Sequence, residues 1–209
     1  MNPIAHFDAV WSRCDTLSGI YTYLDRNVTG VLQLEELLRA EWVARVSALD
    51  LYVHELVAQS MLKIFEGLRP STPAFNKFSI SGETLQRIRH ATNQADATAA
   101  FDLYVREQLG RITYQAADDI ADGIRLISTI ELWNEITLAL GATLATKSAA
   151  AKSLKLKHSL IMRRRNAIAH EGDLKQTLVR EPWPISEADV AEVTSHILQI
   201  ARTIDALVW

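Results

Sequence analysis

Three consecutive arginines, an asparagine and, four residues further on, a histidine make up the run Arg163-Arg164-Arg165-Asn166-Ala167-Ile168-Ala169-His170. These side chains suit chemistry on a phosphodiester. The ordinary pKa of imidazole lies near neutrality, so His170 can give or take a proton without a metal. A guanidinium fork matches phosphate oxygens, so an arginine can stabilise the negative charge that builds on a phosphorane. Asn166 precedes His170 by four residues, which puts both on one helix face. There the amide can orient the imidazole or hold a phosphate oxygen. The run ends a longer basic tract. From Ala142 to His170 there are seven cations (Lys147, Lys152, Lys155, Lys157, Arg163, Arg164, Arg165) and no acid. In a chain of net charge −3 this is a concentrated positive field suited to phosphates. A solvated helix face, or cations complementing a helix C-terminus, would have the same composition.

Arg-Asn-x-x-x-His near the end of a long helix resembles the catalytic signature of the HEPN superfamily. Those are all-α proteins, many of them metal-independent ribonucleases of toxin–antitoxin and phage-defence systems. Within it the chain is similar to the RiboL-PSP-HEPN family. The likeness covers most of the chain loosely: the helix around Ser47-Ala48-Leu49-Asp50-Leu51-Tyr52, the Arg-Arg-Asn-x-Ile-Ala-His-Glu stretch, and the last helix after the Trp-Pro loop. Only the Arg–His motif is specific; chance produces it in about one chain in a hundred of this length.

The resemblance implies an endoribonuclease that needs no cofactor or metal. The substrate's 2′-hydroxyl would attack the adjacent phosphate, leaving a 2′,3′-cyclic phosphate and a 5′-hydroxyl. Arg165 becomes the catalytic arginine, because the family places its polar residue directly after that arginine. Asn166 and His170 complete the site, and Arg163 and Arg164 become contacts to the RNA backbone. RNA is the implied partner, a homodimer the implied assembly, and a nucleotidyltransferase-like antitoxin the implied restraint. The rival within the same fold is a non-catalytic module that binds RNA, a nucleotide or a partner protein.

The helical wheel adds a difficulty. Arg165 lies about 140° around an ideal helix from His170, whereas Arg163 shares its face. Either Arg165 reaches round, or the helix end is distorted, or two subunits build the site together. The family's dimers favour the third option. The interface would then include residues 146–171, with Leu154, Ile161 and Met162 supplying the attraction across a two-fold axis.

The elements that must position these residues are helical. Eight glycines and five prolines in 209 residues are about half the usual share, too few for a turn-rich β or doubly wound fold. Large apolar residues recur at steps of three and four over residues 6–25, 31–66 and 146–171, and again over the final helix, residues 186–209. A proline-bearing loop spans residues 67–81. Shorter helices are expected at 82–93, 96–114, 116–128 and 129–140. Glu181-Pro182-Trp183-Pro184 must be extended, because each proline excludes its predecessor from the helical region. Ser186 is an N-cap with Asp189 as an acidic capping-box partner. The expected fold is a single all-α, HEPN-like helical bundle over 1–209. N-terminal helices fill 1–66, and a bundle carries the motif over 82–171.

Other features point elsewhere or nowhere. Asp25 to Glu36 matches an EF-hand loop at positions 1, 3, 6 and 12, but only Asp25 and Glu36 supply ligand charge and no second hand exists. A helix–helix turn with glycine at a tight bend is the better account. His6, His54, His90, His158 and His196 show no zinc spacing. Asp50 is read as a surface acid or a support to the site. Cys14, the single cysteine, fits a core position and a reducing, cytoplasmic setting, and no apolar run is long enough for a signal peptide or a membrane span.

Overall fold

Residues 35–65, free of glycine and proline, form the helix on which the others are built. The computed structural model describes residues 2–28 and 33–209. Among them eight α-helices follow in order: α1 (Pro3–Asn27), α2 (Glu35–Phe65), α3 (Gly82–Arg89), α4 (Gln94–Leu109), α5 (Ala117–Ile127), α6 (Leu132–Ala139), α7 (Lys147–Glu171) and α8 (Glu187–Val208). A 3-10 turn at Phe75–Lys77 lies in the proline loop. No described strand exists, so the fold is all-α, and no described helix is long and apolar enough to cross a membrane.

At about 1.5 Å per residue α2 is roughly 46 Å long. It is buried on several faces, because α1, α4, α5, α7 and α8 all pack on it. Leu49, Tyr52, Val53, Leu56, Val57 and Met61 are wholly enclosed. Burial of an apolar side chain of this size stabilises by about 1.5–3 kcal/mol. Polar contacts set the registers. The Tyr52 hydroxyl donates to Asp205 Oδ1 of α8 at 3.1 Å, and burial and that carboxylate raise the phenol's pKa well above its ordinary value. Arg45 of α2 donates to Glu41 and, from α1, to Asp15 at 2.7 Å, while its guanidinium lies 4.3 Å from the centroid of Trp11. The capping box at Ser186 forms as expected, with the Ser186 amide donating to Asp189 at 2.8 Å.

The helix expected through Tyr114 ends at Leu109 instead. The chain turns at Gly110 so that Tyr114 can enter the core beneath α5. Gly123 permits this: a Cβ there would stand 2.5 Å from the Tyr114 ring. Asp50 is half-buried and not a plain surface acid. Its Oδ1 accepts from the Tyr114 amide at 2.6 Å and so fixes the turn to α2.

The same turn presents the Gln115 carbonyl to His158 of α7. His158 Nε2 lies 2.7 Å from that oxygen, which can only accept, so the proton sits on Nε2. Nδ1 is then left to accept from His196 Nε2 of α8 at 3.2 Å. Both rings are buried and neutral. Burial holds the pKa of His158 below its ordinary value and brings that of His196 down to about 3, with the facing His158 and nearby Lys157 acting in the same direction.

These two histidines make stability pH-dependent with a definite sign. The unfolded chain protonates them as pH falls through about 6.5, while folded His196 resists until about 3. Their contribution is complete above about 6.5 and is lost as pH falls below it, by at most about 1.4 kcal/mol per pH unit for each histidine. Urea unfolding of His158→Gln/His196→Gln should therefore show about 2 kcal/mol less loss between pH 7 and 5 than wild type shows. Parallel pH profiles would mean that the pair is not held neutral.

Candidate functional site

The basic run occupies the C-terminal half of α7, which continues as regular helix to Glu171, so no distortion moves Arg165. Four residues of this helix are buried: Ala151, His158, Ile161 and Met162. Trp42 of α2 donates its indole N–H to the Ile161 carbonyl at 3.2 Å. Ile161 and Met162 thus belong to the protein's own core, and Leu154 packs against it. They are not free to attract a second subunit, contrary to the sequence expectation. The apolar residues α7 does expose are Leu156 and Leu160, at 63% and 54%.

The end of the helix has a specific cause. Gly172 takes left-handed backbone (φ 68°), and Asp173 follows in the same region at φ 53°. Glycine adopts this freely, and aspartate is among the few other residues that tolerate it. Both amides return to the Ala167 carbonyl, that of Asp173 at 3.0 Å. The chain then doubles back as a short hairpin over residues 173–183. The Lys175 amide donates to the Glu181 carbonyl at 2.8 Å and the Trp183 amide to the Asp173 carbonyl at 2.7 Å, around an antiparallel bridge between Leu174 and Pro182.

Asp173 holds this corner together. Its carboxylate is 1% exposed, and Oδ2 accepts from Arg39 Nε of α2 and from Arg164 Nη2, each at 3.1 Å. Both arginines extend the clamp into the hairpin: Arg39 donates to the Trp183 carbonyl at 2.7 Å and Arg164 to the Pro184 carbonyl at 2.8 Å. The Arg164 guanidinium also lies 5.2 Å from the centroid of Trp42. Arg164 therefore turns inward and fixes structure, and does not reach outward as the RNA-backbone contact expected of it.

The remaining residues face solvent. Arg163 and His170 are exposed on one side of α7. Arg165 is half-buried and donates from Nη1 to Asn166 Oδ1 at 3.1 Å, so its guanidinium leans toward the side on which His170 lies one turn later. His170 makes no hydrogen bond to a described side chain. It stands at the mouth of an open cavity of about 640 Å³ whose far wall is the hairpin, with Lys175, Thr177 and Arg180 among its lining. Of the seven cations in the tract, Lys155 pairs with Asp118, Lys157 with Glu192 and Arg164 with Asp173. Among the described residues the cations left without an acidic partner are Lys147, Lys152, Arg163 and Arg165 on α7 and Arg180 on the hairpin, where Lys175 pairs with Glu181 and Glu171 borders the cavity.

Sequence reasoning missed Arg39, Asp173, Lys175 and Arg180. Asp173 carried a faint signal, as an aspartate directly after a helix-ending glycine. Arg39, 134 residues away, carried none. Residues 29–32 of the EF-hand-like stretch lie outside the described residues, and Glu36, which would close a calcium loop, accepts from Arg39 at 2.9 Å. No group of described residues is arranged to hold a metal. No family model, curated protein or solved structure matches the chain.

Removing Asp173 should leave Arg164 without its carboxylate and Arg39 with Glu36 as its remaining acidic partner. Asp173→Ala is expected to lower unfolding free energy by about 3–5 kcal/mol. Asp173→Asn, which tolerates the backbone and keeps one acceptor, should lose less. Denaturant midpoints decide; a loss under about 1 kcal/mol for Asp173→Ala would show that the clamp does not stabilise the fold.

Proposed function

We propose that the chain is a metal-independent endoribonuclease of the HEPN type, acting as a toxin-like or defence effector. The observation that carries this is the placement of an exposed imidazole, His170, in the last turn of a helix whose preceding half is basic and acid-free. Asn166 lies one turn before it, and a cavity bordered by Lys175 and Arg180 opens beside it.

In this mechanism the RNA 2′-hydroxyl attacks the neighbouring phosphorus and the P–O5′ bond breaks. The products are a 2′,3′-cyclic phosphate and a 5′-hydroxyl. His170 takes the 2′-hydroxyl proton or supplies one to the leaving O5′. The Arg165 guanidinium neutralises the phosphorane, and Asn166, held by Arg165, positions the imidazole or a phosphate oxygen. Arg163, on the face of His170, meets the RNA backbone. A restraining antitoxin, of the nucleotidyltransferase-like kind, would cover this basic end.

A second reading, a non-catalytic RNA-binding module, draws support from one feature: no described side chain orients the His170 ring, which a general base ordinarily requires. Purified protein incubated with total RNA in EDTA separates the two. Under the enzyme reading wild type cleaves, and His170→Ala lowers the rate by about 10²–10⁴-fold. Equal cleavage by both proteins, or none by wild type, ends that reading.

The assembly proposed with it is a homodimer along α7. Leu156, Leu160, Arg163, Ala167 and His170 follow at alternating steps of four and three on the outer face, the spacing of a helix–helix seam. A two-fold axis beside this seam would place two copies of His170 and Arg165 around one cleft. Light scattering at micromolar concentration should give twice the chain mass of 23.4 kDa, and Leu156→Glu/Leu160→Glu should give the monomer. A monomeric wild type would rule out the shared site.

A further inference from the structure

Trp183 is the most exposed of the five tryptophans described, at 52%, yet its backbone is among the most tightly held in the loop that carries it. Pro182 and Pro184 fix φ on either side. Its amide donates to Asp173 at 2.7 Å, its carbonyl accepts from Arg39 at 2.7 Å, and the next carbonyl accepts from Arg164 at 2.8 Å. The clamp beneath therefore does more than close the end of α7. It supports a large aromatic ring in water, where apolar area gains nothing from folding.

The surroundings indicate what would cover the ring. Lys175 Nζ lies 5.8 Å from the Trp183 ring centroid, and Lys175 also lines the cavity beside His170, together with Arg180. One lysine thus links the aromatic face to the cavity. Two acids are close by: Glu181, 3.7 Å from Lys175 Nζ, and Glu171 in the lining of the cavity; both side chains are exposed, so they can swing away from an incoming phosphate. An exposed ring with a cation over one face and a second beside the adjoining cavity is a pairing that binds an unpaired nucleotide: the base stacks on the indole and its phosphates meet the cations. A base inside a duplex is already stacked on both sides and cannot use it.

We propose that Trp183 is a base-stacking platform for single-stranded RNA, with Lys175 and Arg180 taking the phosphates that lead toward His170. This rests on the ribonuclease reading for its choice of RNA and adds a preference that reading does not contain: unpaired nucleotides beside the cleaved bond. The platform is rigid, so the base is ordered without first ordering the protein, and the entropy lost on binding falls mainly on the RNA.

The test is fluorescence anisotropy with a short labelled oligoribonucleotide of unstructured sequence, alone and annealed to its complement, in a His170→Ala background that keeps the strand intact. Trp183→Ala should weaken binding of the single strand about tenfold and leave the duplex unaffected. Trp183→Phe should recover most of the single-strand affinity, because a phenyl ring still stacks, and circular dichroism at wild-type intensity for both variants excludes unfolding as the cause. Unchanged single-strand binding by Trp183→Ala, an equal loss for single strand and duplex, or no single-strand binding by the parent each overturns the platform. The ribonuclease reading fails separately, by absence of cleavage in the wild type, and that result leaves these binding comparisons intact.

Discussion

A carboxylate cannot lie beneath a protein surface without cations to meet it, and Asp173 draws two from helices far apart in the chain. This requirement joins α2, α7 and the hairpin at one corner. It also explains why a non-glycine residue keeps left-handed backbone there, since the two charge-assisted hydrogen bonds offset a conformational cost of roughly 1–3 kcal/mol. Once Asp173 is placed, the direction in which the chain leaves α7 is set. The cavity beside His170 and the exposed ring of Trp183 both follow from that direction. Arg39 and Arg164 each make two hydrogen bonds to the corner, which separates a structural arginine, Arg164, from its neighbours in the same run.

The helix that carries the run depends on polar contacts to an unusual degree. It buries four residues along its 25, too thin an apolar stripe to fix rotation about its axis. Four polar contacts do so at successive levels, one of them the Trp42 indole N–H donating to the Ile161 carbonyl. Thr137 of α6 donates to the Lys147 carbonyl at 3.2 Å, His158 bridges Gln115 and His196 at the middle, and Arg164 meets Asp173 at the end. A slip by one residue would turn His158 about 100° away from both partners and leave buried groups unpaired. The outward aim of Arg163 and His170 is therefore set by interactions on the opposite face.

The long helices α2 and α8 were legible in the residues because their apolar spacing is regular and glycine and proline are absent from them, as they are from α7; α1 was legible through its apolar spacing despite Pro3 at its start and Gly19 within it. The start of α8 was legible because a capping box is a local pattern, four residues wide from Ser186 to Asp189. The end of α4 was not. Residues 110–114 carry helix-compatible side chains, and what stops the helix is Asp50, which pulls the Tyr114 amide from 64 residues away. The same applies to His158 and His196, read as scattered and found 3.2 Å apart, and to Arg164, whose inward turn depends on Asp173 and Trp42. The prolines around Trp183 signalled extended chain correctly, but pairing of that chain with residues 173–175 is a tertiary fact without a local signature. The positions of Asn166 and His170 on one exposed side followed from helical spacing alone. The lining of the cavity beside them did not, because it depends on how the hairpin folds back.

The order in which the chain is made has a consequence for α7. Segments emerge from the ribosome N-terminus first, and α1 and α2, adjacent in sequence, can pair early. Their partner α8 is synthesised after the whole basic tract, and its contacts with α2 span some of the largest separations in the chain, such as the 153 residues between Tyr52 and Asp205. Until α8 arrives, the enclosed face of α2 lacks Ile197, Ile200 and Ile204, and His158 Nδ1 has no second imidazole from which to accept a hydrogen bond. A product of interrupted translation that stops short of Glu187 thus contains every arginine of the run and His170, on a helix that keeps its contacts to Gln115 and Trp42 but lacks the one to α8.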